Sequence, residues 1–314
     1  MTAQNQPPPQ AVQDLPVLET VVAAYAAVLG RLGLVALAAK GAIMLLVAGM
    51  LVSTLLPGGG NVVFFLVIIS IAATTHFGVN WCRVMLLGVE GLPRRALTWG
   101  RPHWQFLGYG LLLFLTITAA TCPLSIIGSV AASMFGLVQG PEDVGSALGI
   151  TFILVLIGML YVLGRLGFVF PAIAVEENYG FGLAWQHTAG QGARITPALC
   201  VAGAPLIIGQ LMLAAFFYEA VLGISIEEML ARLPAPGEAT IGTVAEGPAI
   251  EAPSLATILL FDVLAAMANF ICFAVLFSLL SLAFRTCTGW VPAVTSKLPA
   301  APEDDDENGS GPGG

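Results

Sequence analysis

The chain has 314 residues, of which 57% are hydrophobic and 10% charged, and its mean hydropathy is +0.90. A soluble domain carries about 25% charged residues, so polar surface is too scarce here to cover a water-soluble globule. A soluble enzyme, a nucleic-acid binder and a disulfide-stapled scaffold are excluded on this ground, and a multi-pass membrane protein remains. The net charge of −8 is concentrated at one end: without the run Glu303–Glu307, 14 acids face 11 cations, a net of −3.

In chain order, residues 1–14 form a polar, Pro/Gln-rich tail without Lys or Arg, which lacks the basic start of a cleavable signal and is expected to be disordered. Residues 15–32 alternate apolar and small side chains between Glu19 and Arg31, the pattern of an amphipathic helix in the headgroup layer. Six apolar blocks follow, near 34–56, 62–87, 105–134, 148–172, 196–222 and 255–284. Each reaches the roughly 20 residues that cross a bilayer's hydrocarbon. Pro57–Asn61 reads as a tight turn, and Gly140–Asp143 as a turn opening a helix. The stretch 223–254 is the one sizeable loop on its side. Its Ser225 and Glu228 fit a capping box and predict a short helix to about Leu233. Ser254 is placed to cap the last span. Residues 291–314 form a tail whose acidic run, Glu303–Glu307, has no hydrophobe to fold around, and the tail is expected to be disordered. The fold expected is therefore all-α: a polytopic bundle of six transmembrane helices with interfacial helices, occupying 15–290.

Lys and Arg orient such a bundle, because cytoplasmic loops carry the excess of positive charge. Counting alternate loops, Arg31, Lys40, Arg83, Arg94, Arg95, Arg101, Arg165, Arg194, Arg285 and Lys297 share one side, and Arg232 alone is on the other. This predicts both termini in the cytoplasm, and an even number of spans predicts the same.

Ionisable and amide side chains at membrane depth are costly and mark function or helix contacts. His76, Asn80, Arg83 and Glu90 are spaced to share one face of the second span; Asp262 and Asn269 share a face of the sixth, and Gln210 lies in the fifth. His76, Asn80, Gln210, Asp262 and Asn269 either hydrogen-bond between helices, at about 1 kcal/mol each, or line a mid-membrane polar cavity. Thr116, Thr118, Thr121 and Ser125 bracket Pro123, which should open its helix and free carbonyls. Lys40, early in the first span, is expected to snorkel to the headgroups. The five cysteines (Cys82, Cys122, Cys200, Cys272, Cys287) form no CxxC pair and read as buried apolar thiols. No HExxH, GxSxG or Gly-rich phosphate loop is present, and no cofactor is expected.

Two segments on the cation-rich side are the most distinctive text. The first runs from Trp81-Cys82-Arg83 through Glu90 and Pro93-Arg94-Arg95 to Trp99-Gly100-Arg101-Pro102-His103-Trp104. The second runs from Gly164-Arg165-Leu166 through Phe170-Pro171-Ala172-Ile173-Ala174-Val175-Glu176 to Ala184-Trp185-Gln186-His187 and Gly190, with Arg194 beyond. Trp and Arg favour the headgroup region, so Trp81, Arg83, Arg94, Arg95, Arg101, Arg165, Trp185 and Arg194 are candidates for contact with anionic lipid.

These two elbows resemble uncharacterised bacterial six-span proteins related to the membrane domain fused to some glycerophosphoryl diester phosphodiesterases. The resemblance implies the six-span topology and a bacterial inner-membrane location, and it transfers no catalytic residue. A (β/α)8 barrel of about 250 residues has no room outside the spans. The function expected is a non-enzymatic scaffold or accessory factor in envelope or lipid metabolism, with anionic lipid and a protein partner or second copy as its contacts and no nucleic acid. The alternative is a small-solute or proton-coupled transporter built on the five mid-membrane polar residues. A membrane-embedded enzyme would draw on His103, His187 and Glu176.

Overall fold

The computed structural model describes residues 15–53, 60–134, 144–222 and 255–292. Among these every regular element is a helix, with no strand. α1 is Val17–Leu29, α2 Leu32–Ser53, α3 Gly60–Leu87, α4 Arg101–Met134, α5 Val144–Leu166, α6 Val169–Ala174, α7 Phe181–His187, α8 Gly192–Leu222 and α9 Leu255–Thr288. Six of these helices are long and apolar enough to cross a membrane, so the protein is an all-α, multi-pass membrane bundle. Of the expected tails 1–14 and 291–314 only 291–292 are described, and of the expected turn 57–61 only Gly60 and Asn61, which open α3 and are no part of a turn; the turn at 140–143, the loop helix near 224–233 and the Ser254 cap lie outside the described residues.

Hydrocarbon offers no partner for backbone N–H and C=O groups, so each apolar block must satisfy its own by closing a helix. The blocks do so nearly where hydropathy places them. α3, at 28 residues, is about 42 Å long at about 1.5 Å per residue, enough to cross the core and carry its last turn into the interface. α9 is the hub, packing against α1, α2, α3, α6 and α8, while α2–α3 and α4–α5 pair as hairpins. Phe77 meets Phe270 at 4.9 Å between ring centroids, and Phe106 meets Phe170 and Phe277 at 4.7 and 5.6 Å. This aromatic core lies where the two elbows sit, at what is called here the elbow end. Toward the other end α4 and α8 present Phe114, Ile126, Ile127, Ile208 and Phe216 outward, as lipid-facing helices do.

Two features depart from the expected layout. The apolar text 148–172 is not one helix. α5 stops at Leu166, and the chain turns at Gly167 before the short α6. A Cβ on Gly167 would stand 2.5 Å from the Leu163 carbonyl oxygen and 3.0 Å from Leu280, so only glycine fits this turn against α9. α1 forms as expected, yet it is a packed member of the bundle. Thr20, Val21, Ala24 and Val28 are its buried stripe, set against α8 and α9. The Leu15 amide donates to Gln191 Oε1 at 3.3 Å, and the Tyr25 hydroxyl donates to the Ala202 carbonyl at 2.7 Å. Steps of 10 residues along α1 and 11 along the partner segment separate these contacts, so α1 runs beside α8 in the same direction.

Within the described residues, Lys40, Arg83, Arg94, Arg95, Arg101, Arg165, Arg194 and Arg285 belong to the elbow halves of their elements or to the elbows themselves, and Arg31 sits in the turn just before α2. No Lys or Arg of the described residues lies at the opposite end.

Candidate functional site

α2 and α3 run antiparallel. The first elbow, a 3-10 turn at Val89–Gly91 and an irregular run to Gly100, folds back over their elbow-end halves. Gly88 starts it at φ 79°, in the left-handed region that glycine adopts freely. Between α2, α3 and this elbow lies a cavity of about 110 Å³ lined by Leu37, Ala38, Lys40, Asn80, Leu92, Pro93, Arg94, Arg95 and Ala96. Lys40, Arg94 and Arg95 are exposed and have no ion pair or hydrogen bond within the described residues, whereas Asn80 is buried. The Asn80 amide and His76 Nδ1 share a hydrogen bond of 3.2 Å, its donor set by the imidazole tautomer. Oδ1, the other end of the amide, has no partner.

Behind Asn80 stands a stack of rings: His76 on His103 at 5.4 Å and His103 on Trp99 at 5.2 Å. His103 also shapes the start of α4, since its Nδ1 accepts the Gly100 N–H at 3.2 Å, as the third residue of a capping box does. A neutral imidazole accepting at Nδ1 carries its proton on Nε2, and that buried Nε2 is unpartnered. Gly41 lets α2 touch this group, because a Cβ there would overlap the Ala96 carbonyl oxygen and His76 Cε1. Gly41→Ala is therefore expected to destabilise the fold by about 1–3 kcal/mol, the usual cost of overpacking, and to lift the elbow off α2. Thermal unfolding in detergent together with hydrogen exchange at 92–97 reads both effects; unchanged values in both would refute the contact.

The second elbow is tied down by two arginines. Arg165, at the end of α5, is 6% exposed; its Nη1 donates to the Thr188 carbonyl and its Nη2 to the Trp185 carbonyl at 3.1 Å. Its guanidinium also lies 4.0 Å from the Trp185 ring centroid, a cation–π contact. Thr188 returns the link by donating to the carbonyls of Arg165 and Ala184 at 3.2 and 2.8 Å. Arg83, from α3, donates through Nε to the Ala174 carbonyl at 2.7 Å and pairs with Glu176 at 2.6 Å. Glu176 closes α6 at φ 63°, a left-handed position usually given to glycine. The Arg83 pair holds a carboxylate there. Tyr179 is half-buried, and burial, then the Cys287 thiol, push its phenol above the ordinary tyrosine range. Its hydroxyl and His187 Nδ1 share a hydrogen bond of 2.8 Å, its donor set by the imidazole tautomer.

The sequence-derived candidates separate into groups. His76 and Asn80 come together, Arg94 and Arg95 join them at the cavity, and Trp81, fully buried, faces α9. Gln210 bonds instead to Cys272 Sγ at 3.4 Å across α8 and α9, and Asn269 is exposed on α9. Asp262 falls in α9, with its side chain outside the described set. Arg83, Arg165 and Trp185 lock the second elbow; Arg101 is exposed, and Arg194 is half-buried at the start of α8. Thr116, Thr118 and Thr121 do not reach across helices. Each bonds back to a carbonyl three or four residues earlier in α4. His103, His187 and Glu176 have three different sets of partners.

Lys40 as a cavity wall and Thr188 and Tyr179 as elbow ties escape a linear reading, since their partners lie on other segments. Comparison of the chain with family models, curated proteins and solved structures returns no match.

Proposed function

We propose that the chain is a non-enzymatic scaffold or accessory protein of a bacterial inner membrane, with both termini in the cytoplasm and a role in envelope or lipid metabolism. One observation carries the reading: the elbow end is a rigid platform with its cations sorted by task. Arg83 and Arg165 turn inward and fix the second elbow, while Arg94, Arg95 and Arg101 remain exposed where anionic headgroups would lie. The gathering of the described cations at that end is the charge pattern of a cytoplasmic face. The resemblance of the elbows to six-span proteins related to phosphodiesterase membrane domains agrees with this reading. The groups that an enzyme would recruit are divided, Glu176 held by Arg83, His187 by Tyr179 and His103 by the start of α4. The transporter alternative needs its polar residues to converge. Gln210 instead bonds to Cys272 across α8 and α9, while His76 bonds to Asn80 within α3.

The test has two parts. A reporter fused at residue 240 should read outside the cytoplasm, and one at the carboxyl end inside it. Gentle-detergent purification should retain anionic lipid or a protein partner. Both reporters in one compartment, or a bare monomer with neither lipid nor partner, would overturn the proposal.

A further inference from the structure

We propose that the cavity between α2, α3 and the first elbow is a binding site for a phosphate-type oxyanion, held by Lys40, Arg94, Arg95 and the Asn80 amide. The inference deepens the reading of the elbow end as a lipid-facing platform and rests on it. The volume, about 110 Å³, far exceeds the roughly 10–15 Å³ that a single water needs, so a polyatomic group fits. Three cations and no acid line it, and none of the three is paired within the described residues. A monovalent carboxylate would leave most of that charge uncompensated. A phosphate group offers more oxygens and, as a monoester, about −1.5 to −2 of charge. Adjacent arginine forks suit such oxygens in bidentate fashion, and Lys40 adds a point charge from the opposite wall.

Asn80 is the second, independent sign. It is 3% exposed, lines the cavity, and has one end of its amide unpartnered while the other meets His76. A half turn of the amide exchanges the two ends. With His76 Nδ1–H donating to Oδ1, the amide N–H groups face the cavity and an anion there accepts from them. Both imidazole tautomers leave one end of Asn80 for a ligand, and an oxyanion selects the donor end.

The phosphate could belong to an anionic phospholipid or be free in solution, and the experiment separates these sources. The purified full chain is placed in nanodiscs of phosphatidylcholine, with inorganic phosphate titrated in one arm and phosphatidic acid incorporated in the other. Thermal unfolding and native mass spectrometry read binding. The parent should be stabilised in one arm. Saturation by inorganic phosphate assigns a soluble source, and a response confined to phosphatidic acid assigns a headgroup. The R94Q/R95Q variant and, separately, K40Q should weaken that response by at least about tenfold. R31Q/R285Q, which removes the same charge from exposed positions outside the cavity, should stay within about twofold. No response in either arm, or an equal loss in R31Q/R285Q, overturns the site. If R94Q/R95Q does not fold, K40Q, on a different element, still decides. Reporter fusions that contradicted the orientation would leave these binding results unchanged, so the two failures are distinguishable.

Discussion

Replacing Arg165 with methionine should cost about 3–5 kcal/mol of stability, the penalty for removing one side of a buried charged contact. The guanidinium bonds two carbonyls of the turn after α7 and lies over the Trp185 ring, so its loss leaves the carbonyls of Thr188 and Trp185 without these donors. Charged hydrogen bonds contribute about 1.5–3 kcal/mol each, which already reaches this range. Arg165→Lys is the sharper comparison. It preserves the charge, yet a single ammonium cannot span both carbonyls and stack on the indole, so most of the loss should persist. Proteolysis should rise between 185 and 192 in both variants, together with a lower unfolding midpoint. A midpoint within 1–2 °C of the parent for Arg165→Met, on the scale of about 4 °C or less per kcal/mol for a chain this size, would rule the role out.

Trp81→Ala should be comparably severe, at about 3–5 kcal/mol. Trp81 is fully buried, its ring stacks with Phe77 at 6.2 Å, and its Nε1–H is 2.9 Å from both the Ala274 carbonyl and Ser278 Oγ. In a bilayer apolar transfer contributes little between helices, so the cost is that of the void and its lost dispersion contacts. Trp81→Phe isolates the polar part. It keeps most of the volume, removes the donor and should cost about 1 kcal/mol. Equilibrium unfolding in mixed micelles, followed by circular dichroism, separates the two. Equal losses for alanine and phenylalanine would mean that the hydrogen bond, and not the packing, joins α3 to α9.

The bundle was legible because crossing hydrocarbon is a constraint on composition and length, both written locally. The expected second span, 62–87, and the observed α3, Gly60–Leu87, differ only at the turn. The break inside 148–172 was hidden, since Gly167 sits in apolar text and its reason, the nearness of Leu163 and Leu280, is tertiary. The same limit governs the site. Helical spacing put His76 and Asn80 on one face correctly, but no periodicity joins Lys40 to Asn80 or Arg165 to Thr188. Lys40 is exposed, as snorkelling requires, and it also forms a cavity wall. The threonines around Pro123 show the converse. Polar residues in a span invite a search for partners across the bundle, and here the helix's own carbonyls satisfy them.

The docking of α1 beside α8 and α9 has a consequence for biosynthesis. α1 leaves the ribosome well before α8 and α9, so Thr20, Val21, Ala24 and Val28 must wait without these neighbours until both have been inserted. Assembly thus joins segments far apart in the chain, and a ribosome that stalls before α9 leaves α1 without its principal packing partner.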